Sequence, residues 1–146
     1  MGIRIGRDKK IELLQSVWLF SRCTTRELAK IATITTVLDR PAGTTLTNED
    51  DPGEEFFVVV SGKATVTRRG ESIGQLGPGS FFGEMALLDR APRVATVVAE
   101  EDMTLLAMSA REFDRLIDAA MPSVARKMLR VLGERLRNVD TRLGGV

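Results

Sequence analysis

One stretch of the chain concentrates residue types that can hold a small anion and read a hydroxyl. It runs Gly79-Ser80-Phe81-Phe82-Gly83-Glu84-Met85-Ala86-Leu87-Leu88 and on through Asp89-Arg90-Ala91-Pro92-Arg93-Val94-Ala95-Thr96. Gly83 opens a run of good helix formers that Asp89 and Pro92 stop after about six residues. A short helix start presents N–H groups that no helical carbonyl satisfies, and these groups and the helix dipole both favour negative charge. Gly83 lets a ligand come close to the backbone. Arg93 offers a planar, bidentate fork for a phosphate. Glu84 can accept a hydrogen bond from a sugar hydroxyl, or orient Arg93. On spacing alone the same stretch serves equally well as a buried turn closed by a Glu84–Arg93 ion pair.

Other chemistry is poorly supplied. The 146 residues contain no histidine, which removes the usual general base, the commonest zinc ligand and the ordinary neutral-pH switch. No nucleophile–base pair is legible, so the expectation is no catalysis, no metal and no cofactor. Lys plus Arg is 21 and Asp plus Glu is 20, a net charge of +1 that gives no broad attraction to nucleic acid or to an anionic membrane. The single cysteine, Cys23, has no intramolecular partner and reads as a small buried or half-buried thiol, which fits a reducing cytoplasm. No run approaches the ~18 apolar residues of a membrane span. The basic N-terminus leads into no apolar segment, and Gly6 stands where a myristoylation motif wants Ser or Thr.

Three zones of different periodicity must position the central stretch. Residues 1–36 form an N-terminal helical segment: Leu13, Leu14, Val17, Trp18 and Phe20 cluster, and Thr24 to Glu27 spells a capping box before Leu28, Ile31 and Ala32. Residues 37–108 are punctuated by glycines. Between them lie short apolar or β-branched runs, Phe56 to Val60, Ala64 to Thr67, Ala95 to Val98 and Thr104 to Ala107, which argue for a barrel or sandwich. Arg69-Gly70-Glu71 reads as a hairpin tip. Residues 109–146 return to helix: Ser109 to Glu112 is a second capping box, and Pro122 suits the first turn of a last helix. That helix carries Val124, Met128, Val131, Leu132, Leu136 and Val139 at steps of three and four. With 43% hydrophobic and 28% charged residues, one domain of this length can bury a core without disulfides.

The word Phe-Gly-Glu-x-Ala-Leu-Leu, a short gap, then Pro-Arg-x-Ala-Thr resembles the phosphate-binding cassette of the cyclic nucleotide-binding domain family. Pro41-Ala42-Gly43, Phe56 to Gly62 and Leu76-Gly77-Pro78-Gly79 resemble that family's turn and strand words in the same order, so the likeness spans roughly residues 11–140. The resemblance implies a mainly β fold: an eight-stranded, jelly-roll-like β-roll with the cassette at 82–96, an N-terminal helical piece, and B and C helices behind it. It implies that Arg93 pairs with a cyclic phosphate and that Glu84 accepts from the ribose 2′-hydroxyl. Phe82, Gly83, Met85 and Ala86 then surround sugar and phosphate, Val94 and Ala95 pack beside the phosphate, and Val66, Ile73 and Gly74 flank the base. The region near Arg135, Leu136 and Val139 is the expected lid.

Family members that favour cGMP commonly place Thr or Ser after the arginine. Val94 has no hydroxyl, so cAMP is favoured over cGMP. The segment after the C helix is too short for the ~60 residues of a helix-turn-helix domain, so no DNA partner is expected. A histidine-liganded metal roll of the cupin kind is excluded by composition. The expected protein is a cytoplasmic regulatory or sensor domain whose C-terminal helix responds to the nucleotide and offers a homodimer seam, with its effector, partner or fused, unspecified. The alternative is a β-roll interaction or dimerisation module that has lost nucleotide binding.

Overall fold

The structure, a computed structural model, describes residues 4–89 and 91–142, with side chains as far as Arg137. Helix α1 (Arg7–Gln15), a 3-10 turn at Trp18–Phe20 and helix α2 (Thr25–Ala32) make the N-terminal segment. Eight strands follow: β1 Thr35–Arg40, β2 Thr45–Thr47, β3 Glu55–Ser61, β4 Ala64–Arg68, β5 Glu71–Leu76, β6 Phe81–Phe82, β7 Thr96–Ala99 and β8 Met103–Ser109. A second 3-10 turn, Glu84–Leu87, sits between β6 and β7, and helices α3 (Ala110–Ala120) and α4 (Pro122–Arg142) close the chain. The first strand begins at Thr35, two residues ahead of the expected boundary at 37.

The strands form two antiparallel sheets of four, in the orders β1-β8-β3-β6 and β2-β7-β4-β5. This is the mainly β roll with flanking helices that the resemblance implied. The run Phe56 to Val59 is apolar without alternation because both faces of its sheet are covered. Phe56 and Val58 point outward, with Leu106 and Met108 of β8, into a core shared with Leu14, Leu19, Phe20, Leu28 and Phe113 of the helices. Phe57 and Val59 point inward, with Leu105 and Ala107, against Ala64, Val97 and Ala99 of the second sheet. One sheet thus serves two cores and fixes the helical layer to the roll.

The local punctuation follows chemistry. Thr24 accepts from the Glu27 N–H at 3.1 Å while Glu27 accepts from the Thr24 N–H at 2.8 Å, completing the capping box. At Ser109 the hydroxyl's half alone forms, accepting from the Glu112 N–H at 3.4 Å. The β4–β5 turn is two residues long, and Arg69 and Gly70 have φ of 53° and 80°, the doubly left-handed geometry that matches strand twist in a tight hairpin. Cys23 lies half-buried beside α2; burial first, then the Glu27 charge, push its thiol up to about 11, against a smaller opposing pull from Lys127. Among the described residues no helix is long and apolar enough to cross a membrane.

Candidate functional site

A cavity of about 490 Å³ opens between the second sheet and the cassette, within the usual size of a small-ligand site. Its wall is made by Phe82, Gly83, Glu84, Met85, Ala86, Arg93, Val94 and Ala95 from the cassette, with Val66 from β4. Thr47, Gly53, Leu76, Phe81, Asp89, Ala91, Pro92 and Val97 complete it. The floor is apolar, and Phe82 stacks on Phe57 of β3 at 4.9 Å between ring centroids.

The two polar side chains expected to read a ligand are held by separate partners. Among the described residues no ion pair joins Glu84 to Arg93. Arg93 Nη2 instead donates to the Glu55 carbonyl oxygen. The Arg93 backbone is clamped on both sides: its N–H donates to the Asp51 carbonyl at 2.7 Å, and its carbonyl accepts from the Asp50 N–H at 2.8 Å. Burial pulls the guanidinium below its ordinary value, and the charges of Glu55 and Glu54 oppose that shift. An arginine remains cationic through such a change.

One glycine makes room for this guanidinium, and a second makes room for the Ala91 carbonyl beside it. Gly83 has φ of +77°, and a β-carbon on it would lie 2.5 Å from Arg93 Nη1 and 2.7 Å from the Glu55 carbonyl oxygen. A β-carbon on Gly53 would lie 2.9 Å from the Ala91 carbonyl oxygen and 3.8 Å from Arg93 Nη1. Gly83 therefore needs its freedom twice, for a left-handed backbone and for close approach. After Gly83 the chain forms a 3-10 turn of four residues rather than an α-helix, anchored by Ala86 and Leu87, both nearly fully buried. Glu84 Oε2 accepts from Nε1 of Trp18 at 3.3 Å, a contact across 66 positions of sequence.

Ile73 and Gly74 stand apart from the cavity wall. Both lie on β5, an edge strand. The register slips there: Val66 faces Gly74 but Thr67 faces Ser72, so Ile73 is the unpaired residue of a bulge and is 58% exposed. Gly74, opposite Val66, has no side chain to contribute. The expected lid is elsewhere too. Among the described residues none of α4 lines the cavity wall; Arg135 lies over the Trp18 ring, 4.2 Å from its centroid, and Leu136 is 58% exposed. The Val139 side chain lies outside the described residues.

The eight-stranded roll with flanking helices is the fold that the family resemblance implied, and its cassette brings Gly83, Glu84 and Arg93 to one cavity wall. The family model for the cyclic nucleotide-binding domain matches residues 38–120, more than half of the chain. The chain belongs to the cyclic nucleotide-binding domain family. A cAMP-dependent protein kinase regulatory subunit from Pyricularia oryzae is 35% identical over 115 residues, which cover 77% of this chain and 30% of that protein. A cyclic AMP receptor protein from Thermus thermophilus is 37% identical over 108 residues, covering 70% of this chain and 50% of that one. The matched stretch thus spans half or less of the length of these two relatives. Among solved structures, the N-terminal domain of a transcriptional regulator from Streptomyces coelicolor superposes with a TM-score of 0.80 at 29% identity, covering 88% of this chain and 95% of that one.

Sequence reasoning missed two contributors. Gly53 sits in a loop 40 positions before Arg93, and nothing local marks it as the place where the Ala91 carbonyl comes close to the backbone. Trp18 reads as core within its apolar cluster; only its indole N–H hinted that it would need a polar partner.

Proposed function

We propose that this domain binds cAMP in the cavity beneath the cassette, with Arg93 pairing to the cyclic phosphate and Glu84 accepting from the ribose 2′-hydroxyl. The observation that carries this reading is the close approach at Gly83, which admits the Arg93 guanidinium at the cavity wall and leaves no room for a β-carbon. The apolar floor of Val66, Leu76 and Phe82 suits a purine face. Val94, 71% exposed at the same wall, offers no hydroxyl to guanine or phosphate, which favours cAMP over cGMP. The domain then acts as a regulatory sensor, not an enzyme, and α4 is the element that answers to the ligand. Leu129, Leu132 and Leu136 recur at the three-and-four spacing of a helix seam, and Leu129 and Leu136 are uncovered, which supports pairing of two copies along α4.

Calorimetric titration with cAMP and with cGMP tests the reading. Saturable heat with cAMP, and weaker binding of cGMP, is the expected result. A chain that binds neither is the interaction module that has lost its ligand. Light scattering of the unaltered chain and of Leu136→Glu tests the pairing, which the charge should abolish.

A further inference from the structure

Trp18 bridges two parts of the molecule that the sequence keeps far apart. Its indole N–H reaches Oε2 of Glu84 at 3.3 Å, and its ring carries the Arg135 guanidinium at 4.2 Å. The helix that supplies Arg135 is also bound to the N-terminal segment by Lys127 Nζ to Glu27 Oε1 at 2.6 Å, by Ser123 Oγ to Glu27 Oε2 at 3.5 Å, and by Arg22 to Glu134. A carboxylate accepts about four hydrogen bonds through its two oxygens, so the indole leaves the rest of Glu84 open to the cavity. The 3-10 turn that carries Glu84 is only four residues long and has no side-chain cap at its start. A carboxylate on so short an element gains orientation from a rigid ring that is partly buried against the core.

We propose that Trp18 is a positioning residue for the sugar-reading carboxylate, and that Arg135, stacked on the same indole, makes sugar selectivity depend on the docked state of α4. The proposal rests on the assignment of Glu84 to the ribose made above. A ligand with a 2′-hydroxyl gains from an oriented Glu84, whereas one without it does not. Selectivity for the hydroxyl is therefore the quantity that Trp18 controls, and overall affinity is the quantity that any general damage to the fold would lower.

The test is a pair of dissociation constants, for cAMP and for 2′-deoxy-cAMP, measured by calorimetry on the unaltered protein, Trp18→Phe, Arg135→Ala and the double variant. Trp18→Phe is expected to weaken cAMP about three- to tenfold, the loss of one hydrogen bond to a charged group, and to leave 2′-deoxy-cAMP unchanged. Arg135→Ala should lower the same ratio, and should no longer lower it in the Trp18→Phe background. Equal weakening of both ligands, or a ratio that either variant leaves at the unaltered value, overturns the proposal. A measurement without any variant guards against a Trp18→Phe chain that fails to fold. Trp18 is the only tryptophan and the chain has no tyrosine, so emission excited at the indole band comes from this residue alone. cAMP should change that emission, and 2′-deoxy-cAMP should change it markedly less; identical changes, or none with a ligand that calorimetry shows bound, overturn the role. If the unaltered protein binds neither nucleotide, the binding assignment itself falls and takes this proposal with it. If it binds both and the ratio ignores the Trp18 substitution, only the Trp18 role falls.

Discussion

At the scale of single residues, the cassette is decided by sterics and charge at Gly83 and Arg93. Replacing Arg93 by Ala removes a charge-assisted fork from a partly buried wall, and cAMP affinity should fall by roughly 2–5 kcal/mol in a calorimetric titration. Gly83→Ala should be as damaging by another route. The new methyl forces a left-handed φ on alanine, at about 1 kcal/mol or more, and displaces Arg93 Nη1 from its slot. The expected outcome is a folded protein of lowered Tm that has lost nucleotide binding. Val94→Thr works in the opposite sense: a hydroxyl nearly isosteric with the methyl should raise the cGMP/cAMP affinity ratio by about 1 kcal/mol, and an unchanged ratio would move selectivity away from this position. Gly83, Glu84 and Arg93 were legible in the sequence because they are neighbours in it. Gly53 and Trp18 were not, because each meets the cassette only after long-range closure of the chain.

At the scale of elements, legibility followed periodicity. The capping box at Thr24, the hairpin tip at Arg69-Gly70 and the start of α4 at Pro122 were all readable, since each is set by residues within one turn. Strand β5 was not among the runs read as strands, since Glu71–Leu76 holds only two apolar side chains, and the slip at Ile73 was hidden because register depends on its partner β4. The docking of α4 onto α2 was equally hidden, and it carries a pH signature. Burial alone would push the Glu27 carboxyl up, but hydrogen bonds from Lys127 and Thr24 and the Lys127 charge bring it below the usual carboxylate range. A depressed folded value gives stability that is complete above the unfolded pKa of about 4.3 and is lost as pH falls through the lowered folded value. The difference in Tm between the unaltered protein and Glu27→Gln should therefore be full at neutral pH and vanish in strong acid. A difference that persists there would remove the ion pair as its cause.

At the scale of the whole molecule, the roll and the helices are parts of one mechanical unit joined through a sheet with two buried faces. The roll is cross-linked by strand pairing, whereas α4 continues from α3 across the single residue Met121 and is held by side-chain contacts to the N-terminal segment. On the roles proposed for Glu84 and Trp18, a nucleotide should favour the arrangement in which α4 is docked, and should shift the population by its difference in affinity and no more. Linkage makes the effect reciprocal, so whatever pulls α4 away should weaken the nucleotide equally. Hydrogen exchange with and without cAMP should show protection gained across residues 124–137 as well as in the cassette. Protection confined to residues 82–96 would mean that α4 is static packing.

The half-buried thiol of Cys23 has a practical consequence. With its ionisation pushed up to about 11, only about one molecule in a thousand carries a thiolate at pH 8. Maleimide reagents react through that thiolate, so the native cysteine is nearly silent to them. A cysteine placed at an exposed position of the last helix away from the leucine seam, as in Arg130→Cys, would be labelled selectively without first mutating the native one. A dye on that site, read against the indole of Trp18 as donor, reports whether the last helix stays docked on the N-terminal segment.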